Sequence, residues 1–310
     1  MVRAILLGRI GWCLLLLVLC EVLAQPVMAE EQADLLWNFA NYLYQEQYFY
    51  RAATEYNRFL FRFPTDSRAP EAELQIGRCY RRGGKPDKAV NYLVRLINRR
   101  VGEPITREAI LEVVAIREEQ KRYPEAIYWT KRFIARYPEN PEIDTVYLRL
   151  AWLQIDDGNY EQAVATLEQV SPESRLYPRA KSLSQALQQR PEGGRKSPAV
   201  AGALSAVLPG SGHLYAGRPG EAATSFFLNA LFITGAVVAF KNDSPVLGGI
   251  LVFFELGWYA GGIRTAVKAA REANAREEKR FRQELKETYR LSLGLEPGLD
   301  RLGLSLRLTF

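Results

Sequence analysis

Four alanines recur at intervals of 37 residues, within a pattern of apolar positions that has helical spacing: Ala52, Ala89, Ala126 and Ala163. Apolar side chains, or Thr in one case, follow these alanines by four and seven positions: Tyr56, Phe59, Leu93, Leu96, Thr130, Phe133, Leu167 and Val170. Residues at this spacing lie on one face of an α-helix, so each alanine marks a helix with a buried face. A fixed period of this length predicts a stacked helical repeat.

Small or apolar residues also stand twelve positions before the alanines, at Ala40, Gly77, Val114 and Ala151. A small side chain there allows two helix backbones to approach closely. The position three residues further on loses its pattern along the chain, through Leu43, Tyr80, Arg117 and Gln154. Two periods carry a proline, which cannot continue a helix, twelve residues after the alanine, at Pro64 and Pro138.

The pattern predicts two helices in each period and one more helix after the fourth period. The expected first helices lie near 33–46, 70–83, 107–120 and 144–157, and the second helices near 49–62, 86–99, 123–136 and 160–170. A polar amphipathic segment at 176–189 is typical of a capping helix that faces water.

Residues 33–190 therefore resemble tetratricopeptide repeats, in the longer form found in bacterial envelope-assembly proteins. The resemblance implies an α-solenoid of about four repeats that binds other proteins. It assigns structural roles to the residues at repeat positions: Ala40, Ala52, Tyr56, Phe59, Gly77, Tyr80, Ala89, Leu93, Ala126, Phe133, Ala151, Ala163 and Leu167. Aromatic residues outside these positions line a peptide groove or pack in the core: Tyr44, Tyr48, Tyr50, Tyr128 and Trp129.

Residues 1–29 have the layout of a secretory signal peptide. A basic start precedes an apolar run, and Val27-Met28-Ala29 predicts cleavage before Glu30. A retained membrane anchor and a lipoprotein signal are the alternatives. Cleavage would leave Cys79 as the one cysteine of the exported chain, so we expect a domain held by packing alone, with repeats spanning 30–190.

Beyond a polar linker at 191–198, two apolar segments predict a membrane hairpin within a domain spanning 199–264. Residues 222–240 carry no charge over 19 positions, which is about the length of a membrane span. Residues 246–263 carry one charge, at Glu255. A buried hairpin in a soluble domain is the alternative.

A glycine-rich element precedes the hairpin and contains Gly210, Gly212, His213, Tyr215, Gly217 and Arg218. It resembles the turn of small two-span bacterial membrane domains, a family without a uniform catalytic role. It is not a phosphate-binding P-loop, because no Gly-Lys-Ser/Thr follows. Glycines that permit tight turns explain it most simply, and Arg218 is a candidate contact for a lipid phosphate.

Asn229 and Glu255 are polar groups inside apolar runs. Because such groups are costly in a membrane, we expect each to have a partner, in the hairpin or in another membrane protein. The expected partners are one another, His213 or Trp258; a role in ion handling is the alternative. His213 is the one histidine, so the sequence predicts no metal site and no cofactor.

The flanks of the hairpin are basic, which favours a cytoplasmic location for them, whereas a signal peptide exports the repeats. Residues 199–216 give three spans if they also cross the membrane and two if they do not.

After the hairpin, residues 265–288 contain no Gly or Pro and predict a charged helix. Residues 289–310 alternate in hydrophobicity and predict an amphipathic β-hairpin. We expect this hairpin to pack on the repeats or between subunits; the alternative is a signal for the outer membrane.

The formal net charge of +6 is spread along the chain and mixed with acids, so it favours anionic lipid or acidic partners over nucleic acid. No arrangement of catalytic residues is evident, so we do not expect enzymatic activity.

The sequence predicts an all-α envelope protein with a short β-hairpin, anchored in the inner membrane in preference to the outer, with its repeats in the periplasm. It would be a non-catalytic scaffold for envelope proteins or peptides and lipid, and a possible homo-oligomer. The alternative is a membrane-embedded factor that acts on lipids or on membrane-protein insertion.

Overall fold

A computed structural model gives the fold and describes residues 30–190 and 195–289. Every regular element in these two ranges is an α-helix. The chain divides into two compact units, with the boundary between Leu176 and Tyr177. The predicted signal peptide at 1–29 and the first part of the predicted linker, 191–194, lie outside the described residues.

The first unit contains eight helices in its described part, paired as the 37-residue period predicts. Their bounds, in chain order, are α1 (30–45), α2 (Phe49–Arg62), α3 (Ala69–Arg82), α4 (Pro86–Arg99), α5 (Ile105–Glu119), α6 (Tyr123–Arg136), α7 (Ile143–Asp156) and α8 (Tyr160–Leu167).

The core of this unit consists of the repeat positions. The four alanines that define the period are fully buried, and so are Tyr56, Phe59 and Leu93. Gly77 shows why a small residue is needed where helices cross, because a Cβ atom there would lie 2.4 Å from Leu93 Cδ2. Tyr80 is half-buried and its ring lies 6.0 Å from that of Tyr92.

The second unit contains α9 (Tyr177–Gln188), α10 (Pro198–Val207), α11 (Ser211–Tyr215), α12 (Pro219–Lys241) and α13 (Pro245–Thr288). Helices α12 and α13 form the predicted hairpin and pack closely through small residues. A Cβ atom on Gly235 would lie 3.3 Å from Leu251, and one on Gly248 would lie 2.7 Å from the Phe240 ring. The charged segment 265–288 continues α13 without a break, since it has no residue that would end a helix.

The predicted fold class is wrong in its β component, because the structure has no β-strand in 30–190 or 195–289. Tyr289, expected to begin the first strand, is instead the C-cap of α13, and its N–H donates to Leu285 O. Phe281, Leu285 and Tyr289 follow one another at helical spacing, and this pattern extends the helix to the residue where the alternation starts. The remainder of the predicted hairpin, 290–310, lies outside the described residues.

Candidate functional site

Ion pairs link the first helices of three successive repeats into what we call the charged ladder: Arg78, Arg81, Glu108, Glu112, Glu118, Glu119 and Arg149. Glu112 of α5 accepts hydrogen bonds from Arg78 Nε at 2.9 Å and from Arg81 Nη1 at 2.7 Å, both on α3. Arg149 Nη2 of α7 donates to Glu118 Oε2 of α5 at 2.7 Å. The ladder therefore sets the first helices side by side and gives their shared face an alternating charge.

The buried and exposed ends of the ladder differ in character. Glu112 is buried, so its two guanidinium partners replace the water it has lost. Burial opposes the charge of Arg78, but the carboxylate of Glu112 holds the pKa of Arg78 above its ordinary value. Glu108 and Glu119 stay partly exposed at the edge of the ladder, where a binding partner can reach them.

Two buried donors on α7 have no acceptor within the described chain: Arg149 Nη1 and Trp152 Nε1. They are three residues apart and so lie on neighbouring positions of one helix face. Burial lowers the pKa of the Arg149 guanidinium, against the pull of Glu118. Carboxylate or carbonyl oxygens are the groups that would satisfy such donors.

The aromatic residues outside the repeat positions separate into two groups. Tyr48, Tyr50 and Tyr128 are exposed, and each keeps about half of its surface free. Trp129 is buried in the core and Tyr44 is half-buried. Of the predicted groove aromatics, the first three are therefore available for contact and Trp129 is not.

In the second unit, glycines of the glycine-rich element bring three helices into close contact. Gly210 adopts a positive φ of 89°, and a Cβ atom there would lie 2.3 Å from the backbone oxygen of Ala222. A Cβ atom on Gly212 would lie 1.9 Å from Ala201 O. Gly217 also has a positive φ, of 77°. Any side chain at 210 or 212 would thus force α10, α11 and α12 apart.

Tyr215 and Arg218 connect the glycine-rich element to the start of α10 and to α13. The Tyr215 hydroxyl accepts the Ser197 N–H at 3.0 Å. Arg218 pairs with Glu221 at 2.6 Å and with Glu272. The hydrogen bond that Arg218 donates to the Glu221 carboxylate raises the pKa of the Arg218 guanidinium.

His213 is buried, and its Nε2 lies 3.0 Å from Thr265 Oγ1. Thr265 can donate its proton to a backbone carbonyl of its own helix, at 3.0 Å from Gly261 O. In that arrangement the hydroxyl accepts from Nε2–H, and Nδ1 has no hydrogen-bond partner in the described ranges. Burial lowers the pKa of His213, which favours the neutral imidazole.

The segment from α10 to α12 folds back on itself along α13. Its contacts in chain order are Lys196 with Asn274, Ala206 with Tyr259, His213 with Thr265 and Arg218 with Glu272. The segment therefore begins and ends at nearly the same height on α13. Since α10 has ten residues, it is about 15 Å long, half the thickness of a hydrocarbon core.

Helices α12 and α13 are long and apolar enough to cross a membrane, and the fold-back of 199–216 leaves them as the two candidate spans of the described chain. Most of their apolar side chains are exposed, including Phe227, Leu231, Phe253 and Leu256. A buried hairpin of a soluble domain would cover these side chains. The arrangement indicates membrane association.

Asn229 and Glu255 both lie on the seam between α12 and α13, and both are buried. Asn229 Nδ2 donates to Ser225 O at 2.5 Å. Neither Asn229 Oδ1 nor either carboxyl oxygen of Glu255 has a hydrogen-bond partner among the residues described. The predicted bond between the two side chains is therefore absent from this conformation, and His213 bonds Thr265 instead.

The described residues contain no group of three or more His, Cys, Asp or Glu side chains arranged to hold a metal ion. Cys79 is buried, which raises the pKa of its thiol to about 12. It packs with Ile76 in the core of the first repeats.

Comparisons with known protein families find repeats in the first part of the chain. Two tetratricopeptide repeat family models match residues 71–100 and 118–187. A comparison with curated proteins gives no match.

Two solved structures illustrate the similarity. BtubC (BKLC) from P. vanneervenii is 14% identical, with a TM-score of 0.39, over 76% of this chain and 83% of that chain. A tetratricopeptide repeat protein from Parabacteroides merdae is 11% identical, with a TM-score of 0.42, over 77% of this chain and 98% of that chain. By its family-model matches, the chain contains tetratricopeptide repeats.

Proposed function

We propose that this chain is a non-catalytic, membrane-anchored scaffold that binds envelope proteins or peptides through its repeats. The observation that carries the proposal is the presence, in one chain, of a tetratricopeptide solenoid and an apolar helix pair with an exposed surface. A solenoid offers an extended surface for other proteins, and the hairpin would hold that surface at a membrane.

The charged ladder is the part of the first unit best suited to binding. Glu119 is 56% exposed beside Arg81, and Glu108 is partly exposed beside Arg78. A partner segment with basic side chains would complement the exposed carboxylates of this face. Tyr48 and Tyr128 add exposed aromatic surface to the same unit.

The predicted signal peptide supports a periplasmic location for the repeats, with the hairpin in the inner membrane of a bacterial envelope. Anionic lipid would then meet the basic side chains that flank the hairpin, such as Arg264, Lys268 and Arg271. An outer-membrane location is the alternative, and membrane fractionation of cells that express the chain distinguishes the two.

Crosslinking in native membranes followed by co-purification tests the scaffold. We expect Glu119→Lys to remove the crosslinked partners, because it places a cation beside Arg81 on the ladder. Glu161 is an exposed carboxylate on α8, the second helix of the fourth repeat, and lies outside the ladder. Glu161→Lys is therefore the matched control and should keep the partners. Partners that survive Glu119→Lys would contradict a role for the ladder.

The second candidate is a membrane-embedded factor for lipids or membrane-protein insertion, with the repeats as a docking arm. The unsatisfied oxygens of Asn229 and Glu255 favour it, because such groups in an apolar seam suit contact with a polar ligand or with another membrane protein. Under this candidate, Glu255→Leu would remove the crosslinked species and Glu119→Lys would not.

A further inference from the structure

One face of α1 carries large apolar side chains that the described chain leaves uncovered. Leu35 is 70% exposed, Phe39 47% and Tyr42 55%. They follow one another at spacings of four and three residues, so they form one line along the helix. We call these three residues the α1 stripe; the rings of Phe39 and Tyr42 are stacked, with centroids 6.5 Å apart.

The repeat period shows what this face does elsewhere in the solenoid. Adding 37 residues once, twice and three times to the stripe positions gives Ala72, Ile76, Cys79, Ala109, Val113, Ile116, Val146, Leu150 and Leu153. None of these nine is more than 4% exposed. The first three pack in one core cluster with Tyr56 and Phe59 of the preceding repeat. The α1 stripe therefore has the composition of a face that another helix covers.

The ends of the stripe are polar, and they indicate how a covering helix is oriented. Gln32 and Glu46 continue the spacing on either side, giving intervals of three, four, three and four residues from Gln32 to Glu46. Apolar positions at these intervals are the seam by which two helices pair. Both polar residues are exposed.

We propose that the α1 stripe is a homodimer interface, in which two copies of α1 pair antiparallel about a two-fold axis at Phe39. In this register Leu35 lies within one residue of Tyr42 of the partner subunit, and Gln32 faces Glu46 of the partner subunit. An amide donor thus meets a carboxylate at each end of the apolar contact. A parallel pair would instead place the two Glu46 carboxylates together, which is unfavourable.

This interface involves only the first unit, so it does not rest on membrane anchoring or on the proposed scaffold function. A two-fold contact uses the same patch on both copies and closes at two subunits. The repeats would then be presented as pairs.

Light scattering of the full chain in detergent micelles tests the dimer. We expect the protein mass of two chains for the natural sequence and of one chain for Phe39→Asp. Phe61 is 87% exposed on α2, so Phe61→Asp is the matched control and should remain dimeric. A monomeric natural sequence, or a dimer that survives Phe39→Asp in a folded protein, overturns the proposal.

Disulfide trapping gives a second measurement that keeps the packing of the stripe. Under mild oxidation, a mixture of Gln32→Cys and Glu46→Cys chains should form a crosslinked dimer, whereas each variant alone should not. Crosslinking in the Gln32→Cys sample alone would reject the antiparallel register. Failure of the mixture to crosslink would also count against the interface.

Discussion

At the scale of single residues, a left-handed residue recurs after the first helix of every repeat. Gln47, Gly84, Lys121 and Gly158 have φ angles of 64°, 74°, 57° and 85°, and they too are 37 residues apart. At each, the next residue's N–H bonds a carbonyl five residues back, as Arg122 N does to Arg117 O at 2.8 Å. This is the hydrogen bond of a Schellman helix end, where glycine is favoured.

Lys121 therefore occupies a position that suits glycine better. We expect Lys121→Gly to raise the free energy of unfolding by about 1 kcal/mol, since it relieves the strain of a side chain at positive φ. Urea denaturation measures the change. Lys131→Gly, in the middle of α6, is the control and should lower stability by about 1 kcal/mol. Loss of stability in Lys121→Gly would show that the lysine side chain contributes more than its backbone strain costs.

Gly212 is a residue where added volume cannot be absorbed. We expect Gly212→Ala to destabilise the second unit by about 3 kcal/mol, because its Cβ would overlap the backbone oxygen of Ala201. Gly220→Ala is the matched control, since nothing lies within 4 Å of a Cβ there. Thermal unfolding in detergent measures both; equal stability for the two variants would refute the close packing of α10 and α11.

At the scale of helices, the charged ladder fixes the spacing of α3, α5 and α7. Glu112 and Arg149 occupy the same repeat position, and so do Arg81 and Glu118. The ion pairs are Arg81 with Glu112 and Glu118 with Arg149, so the two charges exchange positions from one repeat to the next. This exchange of opposite charges was the sequence signal for the ladder. Sequence reasoning missed it because helical periodicity ranks positions by apolar character and ignores charge.

Glu112 is the most buried acid of the ladder and holds two arginines. We expect Glu112→Ala to lower the free energy of unfolding of the first unit by about 3 kcal/mol, since it removes the buried carboxylate that both Arg78 and Arg81 bond and leaves these guanidinium groups with only the more exposed acids. Glu119→Ala should cost less than about 1 kcal/mol, because its carboxylate is mostly exposed. Denaturant titration of both variants distinguishes them, and equal losses would contradict the difference in burial.

At the scale of the whole molecule, two candidate spans place both flanks of the hairpin on one side of a membrane. We expect Arg195→Cys and Lys268→Cys in intact vesicles to react with a membrane-impermeant thiol reagent from the same side. Asp243→Cys, in the loop between α12 and α13, should react from the opposite side. Labelling of positions 195 and 268 from different sides would indicate a third crossing.

Some interpretations of the sequence were confirmed because the evidence for them is local and repeated. Helical periodicity recorded four times over, together with glycines and prolines at element ends, determined the helix pairs, the tetratricopeptide repeats and the apolar hairpin. Tyr289 fits both the helical spacing of the residues before it and the strand alternation of the residues after it. The helical spacing from Phe281 through Leu285 prevailed there over the alternation.

The sequence by itself thus determined the repeat, its buried face and the two apolar helices, because each follows from the spacing of side chains along one element. Only the tertiary structure decided which charges pair, that residues 199–216 fold back along α13, and that no other described residue covers the α1 stripe. The first two features depend on residues about 30 to 80 positions apart, and their approach is set by how helices pack rather than by any local period.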